Sequence, residues 1–204
     1  MRIAIVILLV FGIQTAAYAQ TAGSSIFVES AMLADHDPTH FHSNARFTPG
    51  GGGTIGFHLT PKFSARFDVE VPAFDTRTST AFYPAALRSA TILSARTVTY
   101  AGLFGWHLQP YDSRVDLSFL AGLSSAIPEN HASGSDEILA QDGSVVRRES
   151  WNSSYSSRTG ALTYGVDVAV AVNAHLSVVP ELRFHTYSEY GTITRSKVAI
   201  RWTF

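Results

Sequence analysis

The amino-acid sequence predicts an all-β protein, an eight-stranded antiparallel up-and-down β-barrel that crosses a membrane. Apolar and polar residues alternate along eight segments, and the connections between these segments are alternately long and short. The third observation is that the face opposite the apolar one combines charged with very small residues. Hydrophobic residues make up 46% of the chain and charged residues 15%, whereas charged residues make up roughly 25% of a typical soluble domain.

Residues 1–19 have the parts of a secretory signal peptide. Arg2 supplies the positive charge, an apolar run follows, and Ala17 and Ala19 provide the small side chains of a cleavage site. We therefore expect an exported chain whose barrel domain spans residues 20–204. The sequence has no cysteine, so this domain is expected to depend on hydrogen bonds and packing rather than on disulfides.

The eight segments have the period of two that is typical of β-strands. In residues 63–73, Phe63, Phe67 and Val71 fall on one face and Arg66 on the other. The other two clear segments are 114–123 and 160–172, and five weaker ones complete the set: 25–34, 50–59, 95–108, 175–187 and 195–204.

The connections differ in length in a regular order. If the first strand rises from the side where the chain enters, all long loops lie at one end and all short turns lie with both termini at the other. The expected loops are 35–49, 74–94, 126–157 and 188–194, and the expected turns are 60–62, 109–113 and 173–174.

Small residues on the polar face favour a crowded interior for that face. Inside a narrow barrel, small side chains leave room for long neighbours, whereas on a solvated sheet they weaken the strand. The small residues assigned to this face are Gly102, Gly122, Gly165, Ala169 and Ala171.

The charges of the polar face are balanced, as an enclosed lumen requires. The predicted lumen charge network has five cations, Arg66, Arg96, Arg183, Lys197 and Arg201, and five anions, Asp68, Glu70, Asp116, Asp167 and Glu181. Turning the faces over would place arginines against lipid at a cost of roughly 2 to 4 kcal/mol each near the midplane. The apolar face is therefore predicted to face lipid.

The C-terminal sequence KVAIRWTF carries Val198, Ile200, Trp202 and Phe204 on one face. Together with the eight alternating segments and the signal peptide, this ending resembles the small outer-membrane β-barrel proteins of Gram-negative bacteria, which include the OmpA-like transmembrane domain and the opacity-type porins. The resemblance covers about residues 20–204. It implies a monomer in the outer membrane that contacts lipid and lipopolysaccharide, and a terminal assembly signal that the outer-membrane assembly machinery reads.

The expected function is non-enzymatic, with a structural or surface-interaction role. A salt-bridged plug makes conduction by so narrow a barrel improbable. The loop 126–157 carries Arg147, Arg148 and Trp151 and is the candidate contact for an extracellular partner or for lipopolysaccharide phosphates. A net charge of −1 gives no support to nucleic-acid binding.

No cofactor and no metal site are predicted. One loop gathers possible metal ligands, but their spacing matches no specific metal motif, and we interpret the segment as a polar loop tip. These residues are Asp35, His36, Asp37, His40 and His42.

Two alternative functions remain open at this point. One is a secreted soluble β-barrel that binds a small apolar ligand, with the apolar face inward. The other is a lipid A-modifying outer-membrane hydrolase that uses His185, Ser188 and Glu189, because the lipid A deacylases have a His-x-Ser pair. Here the spacing is His-x-x-Ser, which places the two side chains on opposite faces of a regular strand.

Overall fold

The computed structural model describes residues 25–36, 47–83, 87–187 and 191–204. The predicted signal peptide and most of the predicted loop 35–49 lie outside these ranges. The described chain forms ten strands, which are β1 (Ser25–His36), β2 (Phe47–Thr60), β3 (Phe63–Pro72), β4 (Asp75–Tyr83), β5 (Leu87–His107), β6 (Val115–Leu139), β7 (Val145–Ser156), β8 (Thr159–Ala171), β9 (Leu176–Tyr187) and β10 (Gly191–Thr203).

Eight of these strands form a closed antiparallel ring, which confirms the predicted barrel. The order around the ring is β1-β2-β3-β5-β6-β8-β9-β10. Strand β1 pairs with β10 to close it, so that Phe27 faces Thr203 and His36 faces Thr194. Closure leaves the ring without an unpaired strand edge, as lipid-embedded backbone requires. The turns that follow β2, β5 and β8 lie at the same end as Ser25 and Phe204, as expected.

The predicted loops 74–94 and 126–157 are wrong in part, because both contain ordered strands. Strand β5 has 21 residues and β6 has 25, and both continue far beyond their ring neighbours. Strand β4 pairs with residues 87–95 of β5, and β7 pairs with residues 129–139 of β6. We call these four paired segments the outer sheet. Its order is β4-β5-β6-β7, and it stands beyond the end of the barrel opposite the termini.

Many large apolar side chains of the ring point outward. Phe67, Phe104 and Phe119 are each between 43% and 50% exposed, and on the closing strand Ile200 and Trp202 are 48% and 43% exposed. A band of this kind is stable against lipid, whereas in water its exposure opposes folding. The soluble barrel with an apolar interior is therefore wrong. Within the described ranges, no helix is long and apolar enough to span a membrane.

Glycines make room inside the barrel wall, although one was assigned to the wrong face. Gly165 is buried on the lumen side, where an added Cβ would lie 2.3 Å from the carbonyl oxygen of Leu182. Gly56 similarly leaves space for the ring of Phe27 in the lumen. Gly102 instead faces outward between Tyr100 and Phe104, because it shares their parity on β5, and an added Cβ would meet nothing within 4 Å.

Candidate functional site: the lumen network and the outer sheet

The lumen of the barrel contains nine of the ten predicted network residues. Each of them is at most 6% exposed: Arg66, Asp68, Glu70, Asp116, Asp167, Glu181, Arg183, Lys197 and Arg201. The prediction for Arg96 is wrong, because Arg96 shares the parity of the outward-facing Tyr100 and Phe104 and lies where β5 leaves the barrel. Its Nε donates to Glu129 Oε2 at 2.7 Å and its guanidinium lies 4.2 Å from the centroid of the Phe74 ring, at the base of the outer sheet.

Arginines bridge the carboxylates at the centre of the lumen. Arg66 donates through Nη1 to Asp167 at 2.8 Å and through Nη2 to Glu181 at 2.7 Å. Arg183 donates to Glu70 at 2.9 Å and also contacts Asp68 and Glu181. These contacts join β3, β8 and β9 across the barrel, so the network ties opposite walls together as well as neighbouring strands.

Two network residues, Glu29 and Arg195, were missed from the sequence. Arg195 Nη1 donates to Glu70 Oε2 at 2.7 Å, and Glu29 Oε1 accepts from Arg201 Nε at 2.7 Å. Glu29 shares its parity with Phe27, Ala31 and Leu33, which disguises it within an apolar strand. Arg195 is the first residue of the predicted segment 195–204. Both would have been predicted if every charged residue on the lumen-facing side of the alternation had been included.

Carboxylates slightly exceed cations in the described part of the lumen. The cations there are Arg66, Arg183, Arg195, Lys197 and Arg201, and the anions are Glu29, Asp68, Glu70, Asp116, Asp167 and Glu181. Asp116 differs from the other carboxylates because its partner is a histidine. Its Oδ2 lies 2.5 Å from Nδ1 of His107.

Ser64, His107 and Asp116 have the order of a catalytic triad, but their surroundings favour a structural role. His107 Nε2 lies 2.9 Å from Ser64 Oγ, and His107 Nδ1 contacts Asp116. Nucleophilic catalysis needs a space where the reacting atom meets the hydroxyl. Ser64 is 3% exposed, and its Oγ lies 2.5 Å from the position where a Cβ on Gly105 would be, so the missing side chain provides the space for this hydroxyl.

His185 also faces the lumen and is fully buried. Its Nδ1 lies 2.9 Å from Thr163 Oγ1 and 3.3 Å from Ser124 Oγ, and its Nε2 lies 3.7 Å from Glu70 Oε2. These contacts place the ring within the lumen network and away from the acyl chains of surrounding lipid. Ser188 and Glu189, the other residues of the hydrolase alternative, lie outside the described ranges.

The possible metal ligands of the first loop are largely beyond the described ranges. Asp35 and His36 form the last two residues of β1, and Asp37, His40 and His42 are not described. Among the side chains that the structure describes, no group of three or more histidine, aspartate or glutamate residues has the geometry to hold a metal ion.

The outer sheet is held together by ion pairs on both faces. Even-numbered residues of β5 continue the lipid-facing side of the barrel and odd-numbered residues continue the lumen side, so the sheet has a lipid-side face and a lumen-side face. On the lipid-side face, Nη2 of Arg148 lies 2.5 Å from Oε1 of Glu137. Nη1 of Arg88 lies 3.8 Å from Oε2 of the same carboxylate. Arg147 pairs with Glu149 on the lumen-side face. All 12 residues of β7 are exposed.

The residues of the predicted assembly signal line the outside of the closing strand. Val198, Ile200 and Trp202 point outward, and Phe204 is 38% exposed. The backbone N–H of Phe204 donates to the carbonyl oxygen of Ile26 at 2.9 Å, so the last residue contacts the first strand of the ring. Their recognition by assembly machinery stays a prediction.

No protein-family model and no curated protein matches the chain. Among solved structures, it is similar to a major outer membrane protein from Thermus thermophilus, with a TM-score of 0.51 and 12% identity over 89% of this chain and 99% of that one. For Neisserial surface protein A, the TM-score is 0.44 and the identity is 12%, over 90% of this chain and 98% of that one. For Ail, the attachment invasion locus protein of Yersinia pestis, the TM-score is 0.42 and the identity is 10%, over 89% of this chain and 97% of that one.

The architecture agrees with the first of these similarities. An apolar exterior, a polar lumen and short turns beside both termini are the features of outer-membrane barrels. The chain therefore has the fold that the resemblance implied, an eight-stranded antiparallel barrel of the outer-membrane type.

Proposed function

We propose that this barrel is a non-enzymatic protein of the cell surface, with a closed lumen and an outer sheet that presents an interaction surface. The observation that carries the proposal is strand β7, which is exposed along all 12 residues and is paired with β6 alone among the described strands. A rigid, exposed sheet of this kind is a costly addition to a barrel that needs only short loops, and exposed elements on a stable scaffold commonly bind partners.

The lumen supports a structural role rather than transport. An interior of eight strands is just wide enough for side chains to fill it. Here Arg66, Asp68, Arg183 and Arg195 are each at most 5% exposed, and several contact carboxylates on other strands. We infer that the network acts as a plug and stabilises the cross-section of the barrel.

The proposed membrane partner follows from the charges on the lipid-side face of the outer sheet. Arg88 and Arg148 share a single carboxylate, Glu137, which leaves positive charge on the lipid-side face. This face continues the barrel exterior, so we propose that it contacts lipopolysaccharide phosphates. Arg147 is neutralised by Glu149 on the other face and is the weaker candidate. We further propose that the protein is a monomer and that the assembly machinery reads its last strand.

Cysteine labelling tests the exposure of the outer sheet, because the chain has no natural cysteine. A Ser153→Cys variant is expected to react with a membrane-impermeant maleimide on intact cells. Ala199→Cys, at a lumen position that is 0% exposed, is the control and is expected to react only after unfolding. Absence of labelling at residue 153 in a correctly folded barrel would refute surface display.

Current recordings in planar bilayers test the closed lumen. The folded protein is expected to give no steady conductance, since the described lumen charges contact one another across the barrel. A stable, reproducible conductance from pure protein would show that the network opens and that transport belongs to the function.

A further inference from the structure

Two aromatic side chains of β7 lie on the lumen-side face of the outer sheet and remain in contact with water. Trp151 is 37% exposed and Tyr155 is 63% exposed. They are four residues apart on one strand, so both point to the same side, roughly 13 Å apart at about 3.3 Å per residue. Neither belongs to the membrane band, because β7 pairs only with the part of β6 that has left the barrel.

The indole of Trp151 packs over its neighbour on β6. Its cross-strand partner is Gly134, and a Cβ on that glycine would lie 2.7 Å from Cζ2 and 2.9 Å from Cε2 of the indole. The indole therefore occupies the space that a side chain at position 134 would take. Part of the indole packs on β6, and the 37% exposure of Trp151 leaves the rest of the side chain in contact with water.

The surface between the aromatic residues carries small and hydrogen-bonding side chains. Ser153 lies between them on β7 and pairs with Ala132, and Tyr155 pairs with Asn130. We call the surface formed by Asn130, Ala132, Trp151, Ser153 and Tyr155 the aromatic patch.

The charges around the aromatic patch are almost balanced. Arg77 donates to Asp75 at 3.0 Å on one side, and Arg147 pairs with Glu149 on the other. Asp136 adds one further carboxylate to this face. A surface with three carboxylates and two arginines, each arginine already paired, opposes a strongly anionic ligand.

We propose that the aromatic patch binds a neutral oligosaccharide, with sugar rings stacked on Trp151 and Tyr155. The axial C–H groups of a pyranose carry partial positive charge and match the negative face of an aromatic ring. The hydroxyl groups of the sugar match Ser153, Asn130 and the paired charges at the rim. The inference rests on the proposed function, because it names the class of partner that the outer sheet binds.

The test measures binding of three neutral hexasaccharides, maltohexaose, cellohexaose and hexa-N-acetylchitohexaose, to the full folded barrel by calorimetry and by NMR shifts of the Trp151 indole. Hexagalacturonate is the anionic comparison. We expect at least one neutral hexamer to bind and the anionic one to bind more weakly. Trp151→Ala and Tyr155→Ala are each expected to weaken binding about tenfold or more, as truncation of a central aromatic contact does.

Phe82→Ala is the matched control, since Phe82 is 73% exposed on the lipid-side face of the same sheet and is expected to leave affinity unchanged. Heat-modifiable gel mobility confirms that every variant is folded. The proposal is overturned if none of the three neutral hexamers binds at millimolar concentration, or if Phe82→Ala weakens binding as much as Trp151→Ala does. Labelling at residue 153 with no hexamer bound would leave the surface role intact and reject the oligosaccharide.

Discussion

Glu29 and Arg201 face each other across the seam that closes the barrel. They are direct partners in the pairing of β1 with β10, and Arg201 Nε donates to Glu29 Oε1 at 2.7 Å. Lys197, also on β10, lies 3.6 Å from the other oxygen of Glu29. The strands that join the two ends of the chain are therefore connected by buried ion pairs as well as by backbone hydrogen bonds.

Glu29→Gln is expected to lower the free energy of unfolding by about 1 to 3 kcal/mol, because it removes the charged acceptor of a buried hydrogen bond. The loss is limited because Arg201 keeps Asp167 at 3.3 Å and Lys197 keeps Glu181 at 3.2 Å. Urea titration of the protein refolded in lipid vesicles measures this change. Glu149→Gln removes an ion pair of similar composition that is more than 60% exposed, and is expected to change stability by less than about 1 kcal/mol. Equal effects at the two positions would contradict the assigned role of the seam.

Gly165→Ala is expected to destabilise the barrel by about 1 to 3 kcal/mol, as overpacking of a close-packed site does. The added Cβ would lie 2.3 Å from the backbone oxygen of Leu182, and a backbone atom of a paired strand moves only with its strand. Gly102→Ala is the control on the exterior, where an added Cβ meets nothing within 4 Å. The urea midpoint should fall for the first variant alone, and a fall for both would show that the faces are wrongly assigned.

Phe104→Arg is expected to destabilise the folded barrel by about 2 to 4 kcal/mol, because it places a charge in the apolar band. Phe104 is 50% exposed and lies on β5 between Tyr100 and Trp106. Phe82→Arg introduces the same charge on the outer sheet, where the side chain is 73% exposed, and is expected to have little effect on unfolding. Reversal of this order in vesicle-based unfolding would place the membrane elsewhere on the structure.

Deletion of Phe204 is expected to reduce assembly in cells far more than it reduces the stability of folded protein. The deletion removes an outward aromatic group and one backbone hydrogen bond to Ile26, which contributes about 1 kcal/mol. The yield of heat-modifiable protein in the outer-membrane fraction measures assembly, and urea unfolding of refolded protein measures stability. A large loss in the second measurement with normal yield in the first would contradict the role of Phe204 as a signal.

The ring strands were predictable from sequence because each has one face in lipid and one in a polar lumen. That difference in environment produces the alternation seen in residues 63–73, where Phe67 points outward and Arg66 inward. Strands β4 and β7 escaped prediction because both of their faces meet water. The sequence VVRRESWNSSYS of β7 has no apolar side to maintain and therefore resembles a loop.

The lumen network was predictable in its polarity and only partly in its membership. Arg96 was assigned to the lumen although it shares the parity of the outward-facing Tyr100 and Phe104, so the alternation itself would have excluded it. Glu29 was hidden by apolar neighbours that also face inward, and the contact between Ser64 and His107 joins residues 43 positions apart. Pairings of that kind depend on the register of β3 against β5, which no local pattern contains.

The continuity of β5 and β6 has a mechanical consequence. All 21 residues of β5 pair with β6, from Leu87 and Ile138 on the outer sheet to His107 and Ser118 in the barrel wall. A load applied to the tip of the outer sheet along the strands would act as shear on this whole ladder, so that many hydrogen bonds share it and none breaks alone. The outer sheet is thus joined to the barrel wall by one continuous ladder, and we expect a pull on its tip to reach the barrel before the sheet unfolds at its base.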